Sequence, residues 1–247
     1  MDLGISHRRA AVAAGSAGLG LATARALAAE GVSVAICGRD RDRLMTAAAS
    51  IGAVGIVCDV SEPTAAADWI EQTAVALGGP VDIVVANAGG PPPGTASRTD
   101  LDGYRQALDL NCLATIAMCT AAVGPMRSQG WGRLLAITSI GARQPIPYLA
   151  ASTVARAATT AFMKTLASEV AADGVTVNTI QPGSHDTDRI RSLAGEQASG
   201  LLAEIPVGHL GDPDDFGSVA AFLCGQQAGF ITGASLIIDG GASRGLQ

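Results

Sequence analysis

Residues 11–20 read A-V-A-A-G-S-A-G-L-G, placing Gly15, Gly18 and Gly20 between an apolar run and a helical pattern. That order predicts a strand, a tight turn and a helix start. The first N–H groups of a helix have no intrahelical partner and carry the positive end of its dipole. Such a turn can bind an anion, and missing side chains let a pyrophosphate approach the backbone. A dinucleotide site made by Ala14, Gly15, Ser16, Ala17, Gly18, Leu19 and Gly20 is one reading; close helix-on-sheet packing is the other. After the second apolar run comes Cys37-Gly38-Arg39. A site for an unphosphorylated dinucleotide would offer the ribose an acid there, and none is present. Arg39 has a planar fork suited to a ribose 2′-phosphate, which favours NADP(H) over NAD(H); alternatively it merely opens a helix capped by Asp40. Asp59, beside Val60, can accept from an adenine amino group or cap the next helix. His7, His185 and His209 lack ligand spacing, so no metal site is expected.

These residues punctuate an alternation of strand-like and helix-like runs. Strands are expected at 10–14, 32–37, 55–58, 83–86, 133–138, 175–180 and 236–238, and helices at 18–30, 40–51, 62–77, 101–128, 150–172, 188–203 and 213–224. The expected fold is α/β and Rossmann-like: a doubly wound, seven-stranded parallel sheet with helices on both faces, in one domain spanning 1–247. Ligands in such folds bind beyond the strands' carboxyl ends, where residues 89–94, G-G-P-P-P-G, form a stiff loop. The composition, 48% apolar but 3% aromatic, predicts an aliphatic core. A net charge of −6 without a basic stripe argues against nucleic acid. Cys37, Cys58, Cys112, Cys119 and Cys224 lack C-x-x-C spacing and read as reduced, buried thiols. With no signal peptide and no run approaching a membrane span, a cytoplasmic protein without a membrane partner is expected.

Asn87-Ala88-Gly89 completes a set of motifs that resembles the short-chain dehydrogenase/reductase superfamily. In register with it are the glycine turn, Asp59, Asn111 in D-L-N-C, Ser139 in A-I-T-S-I, Val177-Asn178, Pro182-Gly183, Thr187, Ile231-Thr232-Gly233 and Ile238-Asp239-Gly240-Gly241. The resemblance implies that Asn87, Ala88 and Gly89 line the adenosine side. It implies that Pro182, Gly183 and Thr187 embrace the nicotinamide, that Ser139 orients a carbonyl oxygen, and that Asn111 holds a backbone-bound water. It also implies a homodimer or homotetramer through helices at 112–122 and 150–161.

Two departures stand out. The family's first turn glycine is replaced by Ala14, with Gly15 one place late and able to restore backbone freedom. The family's Tyr-x-x-x-Lys pair becomes Ser152 and Arg156, a register fixed by Phe162, Leu166, Glu169 and Val177-Asn178. An alkyl hydroxyl cannot be tuned to near-neutral acidity by one cation, and a guanidinium stays protonated. Cofactor binding should therefore survive while proton delivery changes. Tyr148 shares a face with Ser152 and Arg156 if it is helical, and otherwise walls the pocket with residues 91–93 and 188–202. His185, placed near the expected nicotinamide, is an outside candidate for the acid. The expected function is NAD(P)-dependent reduction or oxidation of a small-molecule ketone, 3-oxoacyl compound or secondary alcohol. A silent cofactor-binding protein and a non-redox lyase or isomerase are the alternatives.

Overall fold

The structure, a computed structural model, describes residues 1–194 and 198–246. Seven parallel strands, β1 Arg9–Val12, β2 Ser33–Gly38, β3 Val54–Val57, β4 Ile83–Ala86, β5 Gly132–Ile137, β6 Val175–Pro182 and β7 Ser235–Ile238, lie in the order β3-β2-β1-β4-β5-β6-β7. The central strands are buried along their whole length, as a sheet covered on both faces requires. Successive side chains enter opposite layers. Val85 and Leu135 join Leu27, Leu44 and Phe216, whereas Val84 and Leu134 join Trp69, Met118 and Met163. The first layer is closed by α1 Gly18–Ala29, α2 Arg41–Ile51 and α9 Pro213–Leu223, and the second by α3 Pro63–Ala76, α5 Ala114–Gln129 and α6 Ala150–Val170. The expected sheet and its two helical layers are thus observed.

The helix expected over 101–128 has three parts: α4 Leu101–Leu108, a π-helical turn Asp109–Leu113, and α5. Together they form a 29-residue helix, Leu101–Gln129, whose most apolar stretch has a mean hydropathy of 1.5. The expectation that no run approaches a membrane span is corrected: this helix is long and apolar enough. It spends that apolarity inside the fold, where Met118, Cys119, Ala122 and Met126 pack in the α3 and β4 layer. The helix expected over 188–203 is described as α7 Asp188–Ala194 and α8 Ala198–Ala203; residues 195–197 lie outside the described residues.

Several of the sequence motifs tie strands to the C-terminal tail. Asn178 donates to the Ile231 carbonyl and accepts from Ala234 N–H, while Thr232 Oγ1 accepts from Val177 N–H. Gly183 N–H donates to the Ile238 carbonyl at 2.8 Å. A Cβ at Gly183 would lie 2.6 Å from that of Asp239, so glycine permits this crossing. The sheet order reverses between β1's two neighbours, β2 and β4, which opens a crevice at the strands' carboxyl ends.

Candidate functional site

A cavity of about 1040 Å³ occupies that crevice. Ala14, Ser16, Ala17, Gly18 and Leu19 line it from the β1–α1 turn, Arg39, Asp59 and Val60 from beyond β2 and β3, and Asn87, Ala88 and Gly89 from beyond β4. Ser139, Tyr148, Ser152 and Arg156 line it from β5 and α6, and Pro182, Gly183 and Thr187 from beyond β6. Gly15, Gly20 and Asn111 lie behind this wall.

At the turn, α1 starts at Gly18 with no side-chain cap and no acid in its first turn. Its first N–H groups therefore face the cavity end of the helix dipole with room for an anion. A Cβ at Gly20 would sit 2.5 Å from the Ala14 carbonyl oxygen and 2.7 Å from Asn87 Nδ2, so the turn closes only over a glycine. Asn87 Nδ2 donates to the Ala13 and Ala14 carbonyls at 3.3 and 3.4 Å, fixing the turn from the neighbouring strand. Ala14 itself holds φ +46°, the left-handed region that favours glycine. The expected role of Gly15 is corrected: its φ is not positive, and it is needed because a Cβ would lie 2.7 Å from Ile36 Cγ2.

Asp40 caps α2 by accepting Arg43 N–H at 3.0 Å, which turns its carboxylate toward the helix. Arg39 remains 77% exposed at the cavity edge, with Asp59 Oδ2 at 3.9 Å. Asp59 lines the cavity, and its Oδ1 accepts the Ser61 N–H and hydroxyl at 3.0 and 2.8 Å; it does not cap the next helix, whose N-cap is Glu62. Nearby, the Cys37 thiol is pushed up by its hydrogen bond with Cys58 and then by burial, and the same hydrogen bond lowers Cys58.

At the other end, Ser139 follows β5, and its Oγ accepts Gly141 N–H at 3.0 Å, opening a short 3-10 turn. Ser152 and Arg156 sit one turn apart on α6, where Arg156 Nε donates to Ser152 Oγ at 3.3 Å. Arg156 Nη1 also donates to the Ile137 and Thr138 carbonyls at 2.9 and 2.7 Å, anchoring the guanidinium on the end of β5. Burial, and then the charge of Arg189, lower its pKa to about 10. Tyr148 precedes α6, which starts at Ala150, and is 54% exposed. The condition for a shared helical face with Ser152 is not met, and Tyr148 stands at the cavity edge.

Asn111 lies in the π-helical turn, which bulges α4–α5 toward α6. Its carbonyl is within hydrogen-bonding distance of the Thr115 and Thr159 hydroxyls, at 2.9 and 3.0 Å. Thr159 Oγ1 is also 2.9 Å from the Ala155 carbonyl, and its one hydrogen serves one of the two. His185 is 3% exposed, packs edge-on against Phe216 and has Nδ1 3.2 Å from the Gly183 carbonyl. Burial lowers its pKa, outweighing the Gly183 hydrogen bond and Asp212. It lines the cavity but is not solvated, and its burial favours the neutral imidazole, which counts against the outside candidacy as a proton donor. Arg189, on α7, also lines the cavity, though no spacing in the sequence singles it out.

A family model described as enoyl-(acyl carrier protein) reductase matches residues 13–243. The chain is 31% identical over 234 residues to the 3-oxoacyl-[acyl-carrier-protein] reductase FabG of Escherichia coli, covering 94% of this chain and 96% of that protein. It is 33% identical over 237 residues to acetoacetyl-CoA reductase of Shinella zoogloeoides, covering 95% and 98%. Among solved structures, L-sorbose reductase from Gluconobacter frateurii, complexed with NADPH and L-sorbose, superposes with a TM-score of 0.90 at 30% identity, covering 100% of both chains. Fold, cavity and motifs agree with these likenesses along the chain: it belongs to the short-chain dehydrogenase/reductase family of NAD(P)-dependent oxidoreductases.

Proposed function

We propose that this protein is an NADPH-favouring reductase of ketones or 3-oxoacyl compounds, which orients the carbonyl with two serine hydroxyls and takes its final proton from water. One observation carries the reading: the oxygens of Ser139 and Ser152 both already accept hydrogen bonds, from Gly141 N–H and from Arg156. Each hydroxyl has one hydrogen, which remains to be given to a carbonyl oxygen in the cavity. Arg156, held behind Ser152, strengthens that donation as negative charge develops on the oxygen. With a pKa of about 10 it stays charged at neutral pH, so it stabilises charge rather than transferring a proton.

The residues present fit the cofactor. The glycine cradle and the free N–H groups of α1 suit a pyrophosphate, Arg39 a ribose 2′-phosphate, and Asn87, Thr187 and Arg156 the sugar and nicotinamide portions. When bound, NADPH supplies the hydride. The relatives named for reducing an oxoacyl thioester or a sugar ketone support a carbonyl substrate, and the NADPH in the sorbose reductase complex supports the phosphorylated form. We further propose assembly as a homodimer or homotetramer through α5 and α6, where Leu113 just before α5 and Val154 on α6 are 43% and 46% exposed; light scattering should give a mass above one chain.

Loss of reduced-cofactor absorbance across a panel of ketones and oxoacyl thioesters tests the reaction. Turnover with at least one of them is expected. Tight NADPH binding without any turnover would replace this reading with a silent cofactor-binding protein, the alternative favoured by Ser152 and Arg156 standing at the family's Tyr and Lys positions.

A further inference from the structure

Arg189 reaches from α7 to the loop after β4, where its Nη2 donates to the Pro91 carbonyl at 2.9 Å. Its guanidinium lies close against Gly90: a Cβ there would be 2.5 Å from Nη2 and 2.9 Å from Cζ. The missing side chain at position 90 makes the seat. Neighbouring arginines on this side of the molecule are neutralised, Arg43 by Asp188 at 2.8 Å and Arg191 by Asp186 at 2.9 Å. Arg189 and Arg156, which both line the cavity, have no ion-pair partner among the described residues. Glu204 also lines the cavity but is exposed and pairs with neither.

The electrostatics agree. Burial lowers the pKa of Arg189, and no carboxylate acts to raise it. Arg156 is lowered by burial and by Arg189 itself. Two like charges partly withdrawn from water without a counter-charge are costly, and a planar guanidinium with free N–H groups is suited to a carboxylate.

We propose that the substrate is an oxo acid, its carboxylate seated on Arg189 beside Gly90 while Ser139 and Ser152 hold the carbonyl to be reduced. This rests on the reductase reading. It names a substrate class through a residue that belongs to none of the family's motifs.

The test compares kcat/KM for 3-, 4- and 5-oxo acids with that for their methyl esters, using NADPH, in the wild type, Arg189→Met and Gly90→Ala. The wild type should prefer at least one acid to its ester, and the chain length preferred would report the spacing of the two subsites. Arg189→Met should reduce that preference about ten- to hundredfold, mainly through KM, as expected for loss of a charge-assisted hydrogen bond. Gly90→Ala keeps the charge but fills the seat, and should act in the same direction. Equal use of acids and esters by the wild type would overturn the proposal while leaving the reductase reading intact. So would an Arg189→Met protein whose preference is unchanged but whose NADPH affinity falls, because the anion would then be a cofactor phosphate. If neither acids nor esters turn over while a ketone or oxoacyl thioester does, the oxo-acid proposal fails and the reductase reading stands; if nothing in the whole panel turns over, the reductase reading fails. Calorimetric titration of the NADPH-loaded protein with the same oxo acids then decides the seat alone: binding weakened by Arg189→Met supports it, and no binding overturns it.

Discussion

The two ends of one cavity respond differently to departures from the family pattern. At the glycine turn, Ala14 stands where the family has glycine, yet the backbone still takes the left-handed conformation, held there by Asn87 and the β1–β4 pairing. The change costs some strain but leaves the backbone N–H groups of the turn, which the proposed function assigns to the pyrophosphate, free of any side-chain cap. At the α6 end, Ser152 and Arg156, which the sequence register sets at the family's Tyr and Lys positions, share a hydrogen bond but lack the acidity of a phenol beside an ammonium. A scaffold can restore a dihedral angle; it cannot supply a missing pKa.

That contrast is best broken from the chemical end. On the proposed function, Ser139→Ala removes a hydroxyl that donates to the developing oxyanion, and it should lower kcat/KM by about 10²–10³ in steady-state assays. Wild-type-like rates would show that the serine does not touch the reacting oxygen. The double variant Ser152→Tyr with Arg156→Lys restores a group able to deliver a proton. Where proton delivery limits the rate, kcat should rise about tenfold or more, and an unchanged kcat would mean that water already suffices.

The pH profile sharpens the same point. With no catalytic group titrating in the neutral range, kcat/KM should be flat between about pH 6 and 9. Arg156 is a cation below about 10 and neutral above it, so activity should fall as pH rises through that value. A break near neutrality would instead reveal an acid elsewhere. The smallest effect belongs to the turn: Ala14→Gly relieves the positive φ at the expense of a freer unfolded chain, and should stabilise the protein by about 0.5–1 kcal/mol in denaturant titration with little change in turnover.

The sheet was legible in advance because short apolar runs separated by helical patterns leave few ways to bury both faces, and the observed strands differ from the expected ones only at their ends. The glycine turn, Asn87 and Ser139 were legible for a related reason: each sits just past a strand, where the fold puts its ligands. The interruption of the long helix at Asn111 was not: the π-helical turn falls where Thr159 Oγ1 of α6 comes within 3.0 Å of the Asn111 carbonyl, a contact 48 residues apart in the chain. Nor was the state of His185, a loop residue by spacing but buried because Phe216 and Gly211 close over it.

What the sequence determined by itself was the α/β sheet, the glycine turn at the start of α1 and the residue types at the candidate chemical positions, all of which follow from local patterning and covalent identity. The tertiary structure alone decided which hydroxyls have their oxygens occupied and their hydrogens free. It decided that Tyr148 lies before the helix rather than on it, and that Arg189 meets Gly90 and Pro91. The last of these joins residues 98 apart in the chain, and its distance is set only when the helices dock on the sheet.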